Sequence, residues 1–223
     1  MKRVLLSIPG VPNGYASMDS RIYHDPYPFL EALREVYGEV DLETFLWAKE
    51  FPHPWGEWMA KVPGMAIPLF YYSYIKLPAY RDPIVEAVTI KLKKLIEKYD
   101  EVYILSHSHG NRVTFDSISK LELADLNELV WISQAPAFNN VLFGAVPTSV
   151  EAAELRKVTD HLKDSYFYRI HADTLSGAPK LEENVHEFSP RWFEVGPVAH
   201  AMVRSREDIV DHFKSSLKSK ETS

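Results

Sequence analysis

The stretch VYILSHSHGN, residues 102–111, decides how the fold of this chain is interpreted. Residues 102–105 form an apolar, β-branched run that is typical of a buried strand. The residues that follow, 111–120, are compatible with a helix. Between them, the small residues Ser106, Ser108 and Gly110 alternate with two histidines. The pattern predicts a strand that turns sharply into a helix, with Ser108 at the apex of the turn.

Length and composition indicate one globular domain. The chain has 223 residues, which fits a single domain over residues 1–223. Hydrophobic residues make up 46% and charged residues 25%, enough apolar material for a sizeable core. The net charge of −6 offers no basic footprint for a nucleic acid or an anionic membrane. We therefore expect no nucleic-acid partner, and the composition leaves the oligomeric state open.

The absence of cysteine excludes whole classes of chemistry. Without it there is no disulfide, no thiol nucleophile and no zinc–thiolate site, and a reducing compartment fits. The first apolar run stops at Pro9 and Gly10, which is too short for a signal peptide. No apolar run approaches the roughly 20 residues of a transmembrane helix. We expect a cytoplasmic protein with no integral membrane segment.

Apolar periodicity predicts strands and helices that alternate along the chain. The predicted strands cover residues 4–8, 39–46, 102–105, 129–133, 166–170 and 185–195. Helices are predicted over 28–37 with Gly38 as a stop, over 83–99 with Asp82 as N-cap and Pro83 at the first helical position, and over 111–120. Two more are predicted after the capping boxes Thr148-x-x-Glu151 and Ser205-x-x-Asp208. Such alternation favours a three-layer α/β fold with a mainly parallel sheet.

One segment, residues 48–81, departs from this alternation. It holds five prolines and eight aromatic residues. The prolines oppose long regular elements, and so many aromatic side chains oppose a solvated loop. The segment is either an insertion packed on the core or a cap or lid that lines an apolar substrate site. Composition does not distinguish the two.

The motif at residues 106–110, between its strand and its helix, resembles the nucleophile elbow of the α/β-hydrolase superfamily. The resemblance implies that Ser108 is a nucleophile held between small neighbours, with Ser106 in place of the usual glycine and Gly110 as the other. It also implies that the backbone N–H of His109, at a helix N-terminus, stabilises an oxyanion. The alternative is a serine that simply caps a helix. The compact length is similar to the small esterase and lipase branches of the superfamily.

A serine nucleophile needs a base, and the base needs an orienting carboxylate. The superfamily places them in the chain order Ser, Asp or Glu, His, on loops after strands. Asp173, just past the predicted strand 166–170, resembles the acid, in preference to Asp160 and Asp164; the alternative is a turn-forming aspartate. His200, on the loop before the last helix, resembles the base. Its rivals are His107, His109, His171 and His212.

A second oxyanion donor is expected in the loop after an early strand. Pro9 has no N–H, so Gly10 or Val11 must donate. The alternative is that Gly10 only forms a turn.

The resemblance implies a serine hydrolase, of the carboxylesterase or lipase kind, which needs no cofactor. It would cleave a small-molecule acyl ester with an apolar group through an acyl-enzyme intermediate. Two other functions stay open at this point. One is a metal-dependent hydrolase that uses His107 and His109 with ligands from Asp19, His24 or Asp25. The other is a non-catalytic binding protein with an α/β-hydrolase-like fold.

Overall fold

The computed structural model describes residues 1–10, 25–47, 74–136, 138, 152–171, 173, 185–194, 199 and 202–221. The strands are β1 (Arg3–Ile8), β2 (Asp41–Thr44), β3 (Glu101–His107), β4 (Leu129–Gln134), β5 (Asp164–Ile170) and β6 (Val185–Phe188). The helices are α1 (Tyr27–Tyr37), α2 (Pro78–Lys98), α3 (His109–Ile118), α4 (Leu123–Leu126), α5 (Ala152–Thr159) and α6 (Glu207–Glu221). The strands form one sheet in the order β2-β1-β3-β4-β5-β6, and every neighbouring pair is parallel. The prediction of an α/β fold is confirmed.

Helices cover both faces of this sheet. On β3, Val102 and Ile104 point into one core with side chains of α2, α3 and α5, whereas Tyr103 and Leu105 point into a second core with α1 and α6. Both faces are therefore buried, which explains why the central strands are almost continuously apolar. The result is the three-layer arrangement that the sequence predicts.

The order of the strands reverses direction between β1 and β3. From β1 the chain runs outward to β2 and then crosses back to β3 on the other side of β1. Open α/β sheets bind their ligands outside the carboxyl ends of the strands at such a reversal point. Here the carboxyl ends of β1 and β3 lead directly to Gly10 and to Ser108.

Helix α2 begins earlier than predicted. It starts at Pro78, with Leu77 as the N-cap residue, and Pro83 lies inside the helix. The amides of Tyr80 and Arg81 donate to the carbonyl oxygen of Leu77, at 2.9 and 3.2 Å. The rule that proline favours the first helical position was right, but it applies to Pro78. The prediction of Asp82 as N-cap is wrong, and its carboxylate instead accepts a hydrogen bond from Arg81.

The predicted capping box of the last helix is also absent. Helix α6 begins at Glu207, and the carboxylate of Asp208 is bound by the guanidinium of Arg206. That nearly buried guanidinium competes for the oxygens that a capping box would use.

Several other bounds differ. Strand β2 is shorter than predicted, β6 ends at Phe188, and α3 starts at His109. Helix α5 ends at Thr159, and the proposed cap residues Thr148 and Glu151 lie outside the described residues.

Most of the proline- and aromatic-rich segment, residues 48–73, lies outside the described residues, so the cap or lid remains a prediction. Its described end includes Tyr74, which is fully buried, and Pro78. Within the described part of the chain, every helix is too short or too polar to cross a bilayer.

Candidate active site

Ser108 stands at the junction of β3 and α3 in a rare backbone conformation. Its φ is 54° and its ψ is −125°. Residues other than glycine seldom adopt a positive φ, and such a conformation persists only where the surroundings impose it. The strand and the helix predicted on either side of Ser108 are both present. The turn therefore has the strained form that a nucleophile elbow requires.

The hydroxyl of Ser108 does not cap the helix. Ser108 occupies the N-cap position of α3, but its side chain makes no capping hydrogen bond. The residue is half-buried rather than enclosed. The interpretation of Ser108 as a simple capping serine is therefore wrong.

The backbone of the turn is tied to the neighbouring strand. The amide of Ser108 donates to the carbonyl oxygen of Gln134, the last residue of β4, at 3.0 Å. The amide of Ala135 continues the ladder to the carbonyl oxygen of Tyr168 on β5, at 2.8 Å. These bonds continue the hydrogen-bond ladder of the sheet beyond the strand ends and connect the turn with β4 and β5.

The end of β1 packs directly on this turn. A Cβ atom on Gly10 would lie 2.9 Å from the Cβ of Ser108 and 3.2 Å from the carbonyl oxygen of His107. A Cβ atom on Gly110 would lie 2.5 Å from the carbonyl oxygen of Ile8. Neither position has room for a side chain, so both glycines are required by close backbone approach. Gly10 thus lies beside Ser108, where the second oxyanion donor is expected, while Val11 lies outside the described residues.

The ring of His109 belongs to the core. It is 1% exposed and lies against Trp47 and Tyr74, with ring centroids 5.2 and 4.6 Å away. Burial, together with the nearby charge of Arg112, lowers the pKa of His109 to about 3. The imidazole is therefore neutral at any physiological pH. Its backbone N–H lies in the first turn of α3.

The described residues give no support to the metal-site alternative. The ring of His109 is enclosed by aromatic side chains, and Asp25 accepts a hydrogen bond from the amide of Tyr27 at the start of α1. No three histidine, aspartate or glutamate side chains gather as a metal site in the part of the chain that the structure describes. The other suggested ligands, Asp19 and His24, lie outside it.

Of the three aspartates considered, Asp173 is the one at the carboxyl edge of the sheet. It follows the end of β5, is 7% exposed, and its amide donates to the carbonyl oxygen of Ile170 at 2.9 Å. Asp164 begins β5 at the opposite edge, where it pairs with Lys220. Asp160 is exposed just after α5, close to that same opposite edge. Because β3, β4 and β5 are parallel neighbours, Asp173 and Ser108 emerge from the same edge.

The histidine of the proposed triad, His200, lies outside the described residues, and its role stays a prediction. The imidazole of His171 pairs with Glu187 at 3.4 Å. The ring of His212 lies 4.2 Å from that of His186, and its Nδ1 is 3.3 Å from the hydroxyl of Tyr168.

Sequence reasoning missed Asn111 and Ala135. Asn111 is fully buried, and its side chain contacts the carbonyl oxygens of Ser108 and Gln134. A polar amide among the apolar positions of α3 was the available signal. Ala135, with a φ of 46°, adopts the second strained backbone beside the turn, and no pattern in the sequence marks it.

Comparisons with known proteins leave the activity open. No protein-family model matches the chain, and no curated protein matches it. A candidate hydrolase of the α/β superfamily from Xanthomonas campestris pv. campestris is 11% identical, with a TM-score of 0.49 and 98% of each chain covered. An azoreductase from Bacillus anthracis str. Sterne is 12% identical, with a TM-score of 0.36 and 98% of each chain covered. Similarities this distant support no activity.

Proposed function

We propose that this protein is a serine hydrolase that cleaves an acyl ester with Ser108 as its nucleophile. The observation that carries the proposal is the positive φ of Ser108 at a strand–helix junction, at the reversal point of the sheet. Such a conformation costs of the order of 1–3 kcal/mol and persists mainly at functional sites. Because the hydroxyl makes no capping hydrogen bond, it is available for chemistry.

In the proposed reaction, Ser108 Oγ attacks the acyl carbonyl carbon while His200 accepts the hydroxyl proton. The tetrahedral intermediate then collapses, the proton passes from His200 to the leaving alcohol, and an acyl-enzyme remains. Water, deprotonated by His200, attacks the acyl-enzyme; the second tetrahedral intermediate then releases the carboxylic acid as His200 returns the proton to Ser108 Oγ. Asp173 orients the imidazole and stabilises its charged form.

Two backbone amides are proposed to hold the oxyanion. The N–H of His109 lies at the positive end of α3, where negative charge is stabilised. The end of β1 is in contact with the turn, which supports Gly10 or Val11 as the second donor. Fixed donors of this kind stabilise charge without reorganising during the reaction.

The proline- and aromatic-rich segment supports a substrate with an apolar group, because the residues at its two ends pack beside the nucleophile turn. Trp47 and Tyr74 flank the residue after the nucleophile, and they bound the proline- and aromatic-rich residues 48–73 in the sequence. This favours a carboxylesterase or lipase-like enzyme.

Labelling with a fluorophosphonate probe tests the nucleophile. The wild-type protein and Ser119→Ala, which removes an exposed hydroxyl at the end of the same helix, are expected to label equally. Ser108→Ala is expected not to label. Full labelling of Ser108→Ala would refute the assignment. A wild-type protein that neither labels nor hydrolyses a short-chain p-nitrophenyl ester would favour the non-catalytic binding protein.

Turnover of the same ester tests the other two residues. Asp173→Asn is expected to lower kcat by roughly four orders of magnitude, because the imidazole loses its orienting charge. His200→Ala is expected to lose at least as much. Asp160→Asn, a matched change at the opposite edge of the sheet, is expected to leave kcat unchanged. Wild-type kcat in Asp173→Asn would contradict the proposed triad.

A further inference from the structure

The side-chain amide of Asn111 links the proposed nucleophile to the neighbouring strand. Asn111 is fully buried in the first turn of α3. Its Nδ2 donates to the carbonyl oxygen of Ser108 at 3.0 Å and to that of Gln134 at 2.8 Å. Its own backbone amide also donates to the carbonyl oxygen of Ser108, at 3.0 Å. One residue therefore supplies two hydrogen bonds to the carbonyl that follows the strained φ.

Chemistry determines which way this amide is turned. A carbonyl oxygen only accepts, so the group that faces Ser108 and Gln134 must be the NH₂ and not the oxygen of Asn111. The oxygen, Oδ1, then accepts a hydrogen bond from the hydroxyl of Ser106 at 2.6 Å. Both hydrogens of Nδ2 and one lone pair of Oδ1 are thus engaged.

Ser106 is in turn held by Trp131. The indole N–H of Trp131, on β4, donates to Ser106 Oγ at 2.7 Å, which leaves the hydroxyl proton for Asn111. All three side chains are fully buried. Ser106 therefore does more than provide a small neighbour for the turn, because its hydroxyl sets the orientation of the Asn111 amide.

The peptide unit after Ser108 connects this network to catalysis. The carbonyl of Ser108 and the N–H of His109 belong to the same planar unit and point in opposite directions. A hydrogen bond that fixes the carbonyl therefore also fixes the direction of the N–H. That N–H is the proposed first oxyanion donor.

We propose that Asn111 is a positioning residue that aims the His109 N–H at the oxyanion by clamping the carbonyl of Ser108. This inference rests on the proposed function, since it concerns the same site. Asn111 touches no substrate. Its contribution appears only when charge develops on the substrate oxygen, so it is expected in kcat rather than in KM.

The test compares Asn111→Asp with Thr114→Val. Asn111→Asp keeps the size of the side chain and an acceptor for Ser106 but removes both donors. Thr114→Val removes a buried hydroxyl one turn along the same helix, which donates to the carbonyl oxygen of Gly110 at 2.8 Å. Asn111→Asp is expected to lower kcat and the fluorophosphonate labelling rate about a hundredfold, with KM nearly unchanged. Thr114→Val is expected to change neither.

A milder variant, Ser106→Ala, covers the case in which Asn111→Asp does not fold. It leaves Asn111 in place without its orienting partner and is expected to lower kcat about tenfold. Wild-type kcat in folded Asn111→Asp would overturn the proposal, as would wild-type kcat in Ser106→Ala if Asn111→Asp does not fold. Equal losses in Thr114→Val would overturn it too.

Amide hydrogen exchange separates this inference from the proposed function. The amides of Ser108 and Asn111, which close the turn, are expected to exchange at least about tenfold faster in Asn111→Asp, or in Ser106→Ala, than in Thr114→Val. Unchanged exchange would overturn the role of Asn111 even in an active enzyme. Absence of labelling in the wild-type protein would instead reject the serine hydrolase, and the exchange measurement would still decide whether Asn111 holds the turn.

Discussion

The backbone of Ser108 carries strain that its neighbours must offset. The φ of 54° is maintained by hydrogen bonds at both ends of the residue, to Gln134 on one side and from Asn111 on the other. Gly10, after β1, lies against Ser108 and His107, and Gly110, in α3, lies against Ile8 and Pro9. These contacts leave the turn no room to relax. The conformation of one residue is therefore a property of three strands and a helix.

A side chain at position 10 should disturb the nucleophile. In Gly10→Ala the new Cβ would lie 2.9 Å from the Cβ of Ser108, so one of the two must move. A displacement of the reacting group by a fraction of an ångström to 1 Å costs up to about a hundredfold in rate. We expect kcat on a p-nitrophenyl ester to fall by about tenfold to a hundredfold, with the fold retained by circular dichroism. An unchanged kcat would show that this contact does not position Ser108.

The glycine at position 110 should matter for stability. In Gly110→Ala the Cβ would meet the carbonyl oxygens of Ile8 and Pro9 at 2.5 and 2.6 Å, and these are backbone atoms. We expect the free energy of unfolding to fall by roughly 2–3 kcal/mol, as for other overpacked sites. The comparison is Gly38→Ala, where nothing lies within 4 Å and any loss comes from the backbone alone, since its φ is +82° and its ψ is −121°; we expect about 1–3 kcal/mol there. Urea denaturation measures both, and an unchanged free energy of unfolding in Gly110→Ala would show that the contact with Ile8 and Pro9 does not constrain position 110.

The helices and strands lie where apolar periodicity predicts them, but the residues at which they begin and end do not match the predicted caps. Helix α2 begins at Pro78 and not at Pro83, because proline is acceptable in the first turn and the amides of Tyr80 and Arg81 already bond the carbonyl oxygen of Leu77. In α6, the predicted partner Asp208 is taken by Arg206, which also binds the buried carboxylate of Glu194 at 2.8 Å. Caps depend on the three-dimensional neighbours of a residue, which a local pattern does not contain.

His109, the first residue of helix α3, should make the stability of the fold sensitive to acid. Burial lowers the pKa of His109 to about 3 in the folded protein, whereas the ordinary value is 6.5. Between these values the unfolded chain binds a proton that the folded chain does not. The contribution of His109 to stability is therefore complete above about pH 6.5 and declines as the pH falls, by at most about 1.4 kcal/mol per pH unit.

We expect His109→Phe to reduce the loss of unfolding free energy between about pH 7.5 and pH 5, measured by urea denaturation. The control is His171→Gln, which replaces an exposed imidazole instead of a buried one. A wild-type slope in His109→Phe would show that another group controls the acid response.

At the scale of the whole molecule, the carboxyl ends of the strands (the carboxyl edge) and their amino ends (the amino edge) have different roles. The carboxyl edge carries Ser108 and Asp173. The amino edge carries an ionic cluster around the buried carboxylate of Glu101, which is 4% exposed. Its carboxylate pairs with Arg3 Nε at 2.6 Å and Lys163 Nζ at 2.5 Å, and accepts a hydrogen bond from Tyr103 at 2.8 Å. The cluster joins the starts of β1, β3 and β5 and lies a full strand length from the site.

Removing the charge of Glu101 should therefore affect stability and not activity. Burial acts to raise the pKa of Glu101, but the hydrogen bonds from Lys163, Arg3 and Tyr103 outweigh it, and the net pKa is lowered from 4.5. In Glu101→Gln we expect a loss on the order of 1–2 kcal/mol near neutral pH, because the largely buried guanidinium of Arg3 loses its partner whereas the half-exposed Lys163 regains water. The kcat should stay unchanged, because the cluster lies at the far edge.

The sign of the shift gives the pH dependence. A carboxylate with a lowered pKa stabilises the fold at pH values above its ordinary pKa. This stabilisation is lost as the pH falls through the lowered pKa. The difference between the wild type and Glu101→Gln should therefore shrink below pH 4.5. Glu97→Gln, on the exposed side of α2, is the control. A constant difference at all pH values would show that packing, and not charge, explains the loss.

The sequence by itself determined that the fold has three layers, with a parallel sheet between two layers of helices. Apolar runs of strand length that alternate with amphipathic helices bury their apolar surface as a parallel sheet covered on both faces. Residues 102–111 mark the strand–helix turn within this fold. These signals are local, so a single chain displays them. The tertiary structure alone decided that Ser108 is strained, that its hydroxyl does not cap, and that Asn111, Ser106 and Trp131 surround the turn as one network. It decided these points because each depends on contacts between residues far apart in the chain, such as Gly10 with Ser108 and Trp131 with Ser106, and no local pattern records which strands become neighbours.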